Sequence, residues 1–398
     1  MIRMVAYGLQ VQMADSSLNF YEFFAGGGMA RAGLGAGWTC LFANDFDHKK
    51  ARVYRDNWNG APELRHGDVS KLAPADLPGA ADLVWASFPC QDLSLAGGGA
   101  GLKGERSGTF WPFWKLMKGL AAERRAPRML VLENVCGTLT SHEGKDFAAI
   151  CTSLRQASYR FGAVVIDAAL FVPQSRPRLF IIAVRDDVEI PSGIASAEPS
   201  ALWHTRGLRC AHSRLSAQSR QRWVWWDLPR PAKRNTNLAD LIEDDPVGVE
   251  WHTREETRAL IRMMSELNRE KLLEAKKSGG RVVGCVYKRT RSDEFKRKVQ
   301  RAEVRFDRVS GCLRTPAGGS SRQLILVVEG EKVKSRLISA QETARLMGLP
   351  KEYALPVNYN EAYHLTGDGV VVPVVRYLAA HIFEPVLAPA PIAPRKAA

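Results

Sequence analysis

The sequence predicts an α/β fold, an open sheet carrying helices, with a smaller second unit attached. Three observations predict it. Short apolar runs of strand length recur through the first 185 residues, several of them ending in polar or charged residues. One of them, Leu18 to Phe24, runs straight into the glycine turn Ala25-Gly26-Gly27-Gly28. It is followed by a second strand at Trp38 to Ala43, which gives the strand, turn, helix, strand unit of nucleotide-binding sheets. After Arg185 that rhythm stops, and a basic segment with scattered aromatics takes over.

Met1 to Gln12 lack the apolar core and small-residue cleavage site of a signal peptide, and Met13 serves as well as Met1 for a start. In the unit that opens at Leu18, glycines allow close backbone approach to a ligand. Asp45, 19 residues after Gly26, offers a carboxylate to ribose hydroxyls. Arg31 stands where a dinucleotide fingerprint wants a third glycine, so another adenosine-containing cofactor is favoured; a purely structural turn is the alternative. His66-Gly67-Asp68-Val69 brings a further carboxylate to the same edge.

Ala81 to Ser87, preceded by Pro78-Gly79, reads as a buried strand that stops at Pro89. Cys90 therefore lies just past a strand's carboxyl end, where ligands of open α/β sheets gather. The glycine-rich stretch from Gly97 to Gly104 follows it like a lid over a nucleophilic thiol. A lone cysteine reads more readily as a structural thiol, but the neighbours in the chain change that. Met129 to Leu132 delivers Glu133-Asn134-Val135 to the same edge. A glutamate ending so apolar a strand is costly unless it is paired, caps a helix or does chemistry. Phe161 to Ile166 and Leu179 to Val184 are further strands. Between them Arg176 and Arg178 alternate in Gln174-Ser175-Arg176-Pro177-Arg178 and share a side, as anion holders do.

Beyond Arg185, Trp223, Trp225 and Trp226 read as the core of a small domain. Thr253-Arg254-Glu255-Glu256 is a capping box. It opens a helix with Leu260, Ile261, Met264, Leu267 and Leu272 on one stripe, stopped by Gly279-Gly280. A dense basic run from Arg281 to Arg308 leads to the loop Thr315 to Gln323, whose small hydrogen-bonding residues suit phosphates and base edges. Ser339 to Glu342 is a second capping box, with its helix ending at Gly348-Leu349-Pro350. Val370 to Leu378 is a strand or helix returning to the first sheet, and Ala388 to Ala398 is a Pro/Ala-rich disordered tail.

Net charge of +14 points to a polyanionic partner. No apolar run approaches the roughly 18 residues of a membrane span. Seven cysteines without a Cys-x-x-Cys pair disfavour a disulfide framework or a zinc site, so no metal and a reducing cytoplasm are expected.

Taken in order, these stretches resemble the DNA cytosine methyltransferases, bacterial or phage type, that modify carbon 5 of the base. Phe24-Ala25-Gly26, Phe88-Pro89-Cys90-Gln91, Glu133-Asn134-Val135 and Gln174-x-Arg176-x-Arg178 carry the resemblance, over Leu18 to Arg185 and again Asp307 to about Glu384. It implies a Rossmann-like S-adenosylmethionine-dependent methyltransferase sheet at 18–185, a smaller inserted target-recognition domain at 186–354, and a return to the catalytic domain at 355–387. An extension at 1–17 and a tail at 388–398 flank them. By the same resemblance Cys90 adds to carbon 6 of a flipped-out cytosine, and carbon 5 becomes nucleophilic. Glu133 holds a proton against the ring nitrogen, while Arg176 and Arg178 position the base carbonyl and support the cysteine.

Phe24, Gly26, Gly28 and Pro89 would line the S-adenosyl-L-methionine pocket. Asp45 would bind the ribose, Phe46 stack on adenine, Asp68 and Val69 contact the adenine edge, and Thr109 close one side. Near the C-terminus the family has Gly-Asn-x-Val where this chain has Gly367-Asp368-Gly369-Val370, so Asp368 is a departure at the methionine end, beside Val370. Gln91, Ser94, Lys103 and Arg106, with Arg289, Arg291, Arg301, Ser320, Ser321 and Arg322, would contact double-stranded DNA. A cognate restriction endonuclease is a candidate partner, and a monomer is expected because one active site and one recognition domain suffice. Three alternatives remain: a transfer RNA methyltransferase on the same scaffold, a catalytically silent DNA-binding paralogue, and a nicotinamide oxidoreductase. The last leaves Phe88 to Gln91 and Gln174 to Arg178 unexplained.

Overall fold

The computed structural model describes residues 17–89, 107–292, 295–315 and 322–388. Cys90, Gln91, Ser94, Lys103, Arg106, Ser320 and Ser321 lie outside the described residues, as do nearly all of the N-terminal extension and of the tail.

The first 185 residues supply β1 (Leu18–Phe23), α1 (Met29–Leu34), β2 (Trp38–Asp45), α2 (His48–Asn57), β3 (Leu64–His66), β4 (Leu83–Ala86), α3 (Phe110–Ala122), β5 (Met129–Asn134), α4 (Lys145–Gln156), β6 (Tyr159–Asp167) and β7 (Pro177–Arg185). The strands form one sheet in the order β3-β2-β1-β4-β5-β7-β6. The first five are parallel, and β7 lies antiparallel between β5 and β6. The short link from β6 to β7 permits only a reversal, because a parallel return needs a crossover of a dozen or more residues. That reversal is what brings the start of β7, with Arg178, to the edge where β4 and β5 end.

Both faces of the sheet are covered. Met129 and Val131 of β5 join a core with α1 and the C-terminal helices, whereas Leu130 and Leu132 join the core of α3 and α4. Burial on both sides explains why these strands read as unbroken apolar runs instead of alternating ones. Each fully buried Leu or Val contributes about 1.5–3 kcal/mol. By the same alternation Glu133 faces the C-terminal helices and Asn134 faces α3 and α4.

The segment after Arg185 contains β8 (Ala195–Ser196), α5 (Arg206–Ser213), α6 (Ala217–Arg220), β9 (Trp225–Trp226) and α7 (Leu238–Leu241). Its tryptophans are not the core of a small domain, as the sequence suggested. Trp223 packs on Phe147 and Phe161, and Trp226 joins the core under the large sheet. Phe161 exchanges backbone hydrogen bonds with Arg222 (2.9 Å) and Val224 (2.8 Å). An outer strand presents unpaired peptide groups, and this segment covers those of β6.

The basic half supplies α8 (Arg254–Arg262), α9 (Glu266–Lys277), β10 (Arg281–Ser292), β11 (Lys298–Arg305), β12 (Leu324–Glu329) and β13 (Lys332–Leu337). The four strands make an antiparallel sheet, β11-β10-β12-β13. Thr253 caps α8 as expected, its hydroxyl accepting from the Glu256 amide at 3.2 Å while Glu256 accepts from the Thr253 amide at 2.8 Å. The expected single helix is two, since the chain restarts at Ser265. The restart breaks the stripe: Leu260, Met264 and Leu272 are buried on the sheet, but Leu267 is exposed.

The chain then returns through α10 (Ala340–Leu346), α11 (Tyr359–Asp368), α12 (Val372–Leu378) and α13 (Glu384–Leu387) onto the large sheet. The stretch left open as strand or helix is α12, and it packs against α1 so closely that a Cβ on Gly33 would lie 2.4 Å from Val375. Against the expectation that no apolar run nears a membrane span, the helical stretch Tyr359–Leu387 is long and apolar enough to cross one, but more than half of its apolar window is buried against the rest of the chain.

Candidate active site

The carboxyl edge of the sheet gathers two clusters. At the first, Gly26 (φ +58°) and Gly28 (φ +78°) take left-handed backbone that favours glycine. Asp45, ending β2, accepts the Gly26 amide at 2.7 Å on one oxygen and the Asp47 amide at 2.8 Å on the other. The 19-residue spacing is therefore a direct contact. Each oxygen retains a lone pair for a hydroxyl group. Burial pushes the Asp45 carboxyl above its ordinary range, with Lys50 opposing.

Phe46, beside it, is 75% exposed, a bare ring at the mouth of the turn. Phe24 also has left-handed backbone and packs its ring near Phe113. Asp68 accepts the Ser70 amide at 2.8 Å, Val69 turns its side chain into the core, and Thr109 precedes α3. A Cβ built on Gly26 would meet nothing within 4 Å. Open space at a glycine turn, a bare aromatic ring and two carboxylates fit an adenosine-bearing ligand. Arg31, which occupies the third-glycine position, is structural: it stacks over Trp58 (4.6 Å to the ring centre), donates to the Tyr54 hydroxyl and pairs with Glu63.

Val370 is buried, and Asp368 pairs with Lys50 at 2.7 Å and accepts from the Thr315 hydroxyl. Burial works to raise the Asp368 carboxyl, but Lys50 outweighs it and holds it below the usual range. The departure at Asp368 is thus matched by a cation from α2.

At the second cluster Glu133, 7% exposed, faces Arg178 with Oε1 3.3 Å from Nε. Asn134 donates to the Phe88 carbonyl at 3.1 Å and accepts the Val135 amide at 2.8 Å. It thereby holds the peptide just ahead of Pro89. Asn134 was not among the residues expected to serve the site, and its one signal in the sequence was its place beside Glu133.

The two arginines, expected to act together, have different surroundings. Arg176, 2% exposed, donates to the carbonyls of Leu313 (3.0 Å), Gly367 (2.8 Å) and Gly369 (2.7 Å), and its own amide donates to Asp167 at 2.7 Å. It is a strut binding the C-terminal segments to the sheet. Gln174, wholly buried, joins the same seam by donating to the Leu346 carbonyl (2.8 Å) and accepting the Leu313 amide (3.1 Å).

On β10, Tyr287, Arg289 and Arg291 share one face, and Arg289 lies opposite Arg301 of β11. Glu303 pairs with Arg289 at 3.4 Å and with Arg291 at 2.5 Å. Arg322 lies over the Tyr359 ring and donates to Asn360. Among the described residues, no group of three His, Cys, Asp or Glu side chains could hold a metal ion.

Comparison with known proteins follows the same outline. The family model for C-5 cytosine-specific DNA methylase matches residues 18–384. The type II methyltransferase M.BsuFI of Bacillus subtilis is 25% identical over 93% of this chain and 73% of its own length. The type II methyltransferase M.HhaI of Haemophilus parahaemolyticus is 24% identical over 92% of this chain and 94% of its own. Among solved structures, the S. pombe Dnmt2 methyltransferase superposes with a TM-score of 0.56 at 18% identity, covering 92% of this chain and 98% of that one; this likeness is one of fold.

Proposed function

The chain belongs to the C-5 cytosine-specific DNA methylase family and is a DNA cytosine methyltransferase, and we propose that it methylates one cytosine of a specific duplex sequence from S-adenosyl-L-methionine. The pairing of Glu133 with Arg178 carries the site reading. A carboxyl and a guanidinium side by side, both largely out of water, can grip two neighbouring acceptors. Cytosine offers such a pair in its ring nitrogen and adjoining carbonyl, the first taking a proton from the acid and the second an N–H.

In this reading the Cys90 thiolate forms a bond to carbon 6, and the displaced electron pair makes carbon 5 nucleophilic. Glu133 keeps negative charge off the ring nitrogen by holding its proton there. Asn134 fixes the Phe88 carbonyl and so the approach to Cys90, and Arg176 holds the wall behind Arg178. Loss of the proton from carbon 5 then lets the sulfur leave. S-adenosyl-L-methionine, when bound, supplies the methyl group. Phe24, Gly26, Gly28, Asp45, Phe46, Asp68, Val69, Pro89, Thr109, Asp368 and Val370 would hold it.

The base must leave the duplex, at a cost of a few kcal/mol, and the stretch around Gln91, Ser94, Lys103 and Arg106 would close on it. Recognition, expected over 186–354, belongs to the four-stranded sheet within it, with Arg289, Arg291, Arg301, Ser320, Ser321 and Arg322 on the DNA. The stretch through Trp226 and helix α10 pack with the large sheet, so they join 18–185 and 355–387 in the catalytic part. The type II names of the relatives support a cognate restriction endonuclease as partner and action in a bacterial cytoplasm. One active site and one recognition region suffice for a monomer.

Bisulfite sequencing of a plasmid co-expressed with the protein, in a host lacking cytosine methylation, tests the reading against a Cys90→Ser control. Protected cytosines in one recurring sequence, absent from the control, are expected. Full conversion everywhere with folded protein would refute it, and methyl transfer to transfer RNA alone would replace DNA with RNA.

A further inference from the structure

Arg176 and Arg178 sit two residues apart on one side, so two guanidinium charges share a place where water is scarce. Like charges so placed repel strongly unless an anion lies between them. Glu133 pairs with Arg178. The sulfur of Cys312 faces both, 3.2 Å from Nη1 of Arg176 and 3.9 Å from Nη2 of Arg178. The backbone fixes it there. The Cys312 carbonyl accepts from the Tyr287 hydroxyl at 3.3 Å, and the next residue, Leu313, is gripped by Gln174 through its amide and by Arg176 through its carbonyl.

We infer that Cys312 is a positioning residue: its sulfur, as a thiolate, is the counter-ion of the arginine pair, and Glu133 is thereby left able to carry a proton. The inference rests on reading Glu133 as the proton holder. If Glu133 is neutral in the working site, these four side chains hold two positive charges, and the sulfur is the group among them able to carry a negative one. A thiolate there places an anion beside both guanidiniums without asking Glu133 to ionise.

Of the remaining groups around the sulfur, the Leu313 carbonyl, 3.3 Å away, is an acceptor for the protonated thiol, while the charged groups favour the thiolate. Cys136, the other thiol acting on Arg178, is held above its ordinary range by burial. Arg314 adds positive charge, and Tyr287 and Tyr363 face it as neutral hydroxyls. Asp368, the further anion acting on Arg176, is engaged by Lys50. Burial works to raise the Cys312 thiol, but Arg176 and Arg178 outweigh it and hold the thiol below its ordinary range.

Two measurements test the inference on the full chain. The first is the pH titration of thiolate ultraviolet absorbance, taken as wild type minus Cys312→Ser. A transition well below the ordinary thiol value of about 8.5 is expected. The second is the pH profile of kcat for methyl transfer to duplex DNA. In Cys312→Ser the two guanidiniums draw more strongly on Glu133 for an anion, so the alkaline limb moves to lower pH by about one unit, a tenfold loss on that limb, while KM for DNA holds. Cys312→Asp, which restores an anion, returns the limb towards the wild-type position.

An ordinary thiol titration overturns the inference, and so does a serine variant with an unchanged profile. No methyl transfer by the wild type would overturn the underlying reading of the site. The two failures are distinguishable, because the thiol titration needs neither DNA nor activity.

Discussion

Glu22 is a residue whose environment opposes its ordinary charge. It lies within β1, beneath the glycine turn, fully buried and accepting from the Tyr54 hydroxyl at 3.2 Å. Burial pushes its carboxyl up to about 8, with Tyr54 and Arg31 opposing. The fold therefore accommodates the protonated form. Its contribution is complete below the unfolded value of 4.5 and is lost as pH rises through about 8. Glu22→Gln removes that dependence. Its urea midpoint should gain on the wild type across this window, whereas parallel curves would acquit Glu22. Residues of this kind divide into legible and illegible ones. Asp45 and Glu133 were legible because a polar residue closing an apolar run is a local signal, whereas Phe46 entered only through the family resemblance. Asn134, Lys50 and Cys312 were not, because each is defined by a partner far along the chain.

At the scale of elements, both capping boxes were legible, since the pattern and its hydrogen bonds lie within four residues. The box at Ser339 carries a second duty. The Glu342 carboxylate also accepts two bonds from Arg336, at 2.6 and 2.8 Å, and the Glu243 amide at 2.8 Å, all out of water. It thereby locks β13 of the small sheet to α10 of the returning helices. Glu342→Ala strands a buried cation and should cost about 3–5 kcal/mol in urea unfolding. The same change at Glu256, the exposed box on α8, should cost far less; equal losses would mean that the Arg336 pair contributes nothing. The hairpin of β10 and β11 was illegible as strands. Its outer half is exposed on both faces, so arginines and lysines leave no apolar alternation to read.

For the molecule as a whole, the charge of +14 gains meaning from its placement. Arg289, Arg291 and Arg301 share a face of the small sheet with Tyr287, whose hydroxyl touches the Cys312 carbonyl beside the arginine pair. Replacing the three by alanine should lower the slope of log affinity against log salt by about 2–3, near 0.9 for each phosphate no longer neutralised. Fluorescence anisotropy with duplex DNA measures it, and an unchanged slope would mean that the three do not touch phosphates. The sequence by itself determined the α/β class, the glycine turn and the polar residues that end its strands. Those signals come from neighbours in the chain, where periodicity and turn chemistry act. Only the tertiary structure decided that the tryptophans cover β6, that Arg176 is a strut, and that Cys312, 136 residues from Arg176, faces both arginines. Those depend on how the C-terminal helices close over the Glu133 face of the sheet, and no local pattern encodes the packing of segments so remote from one another.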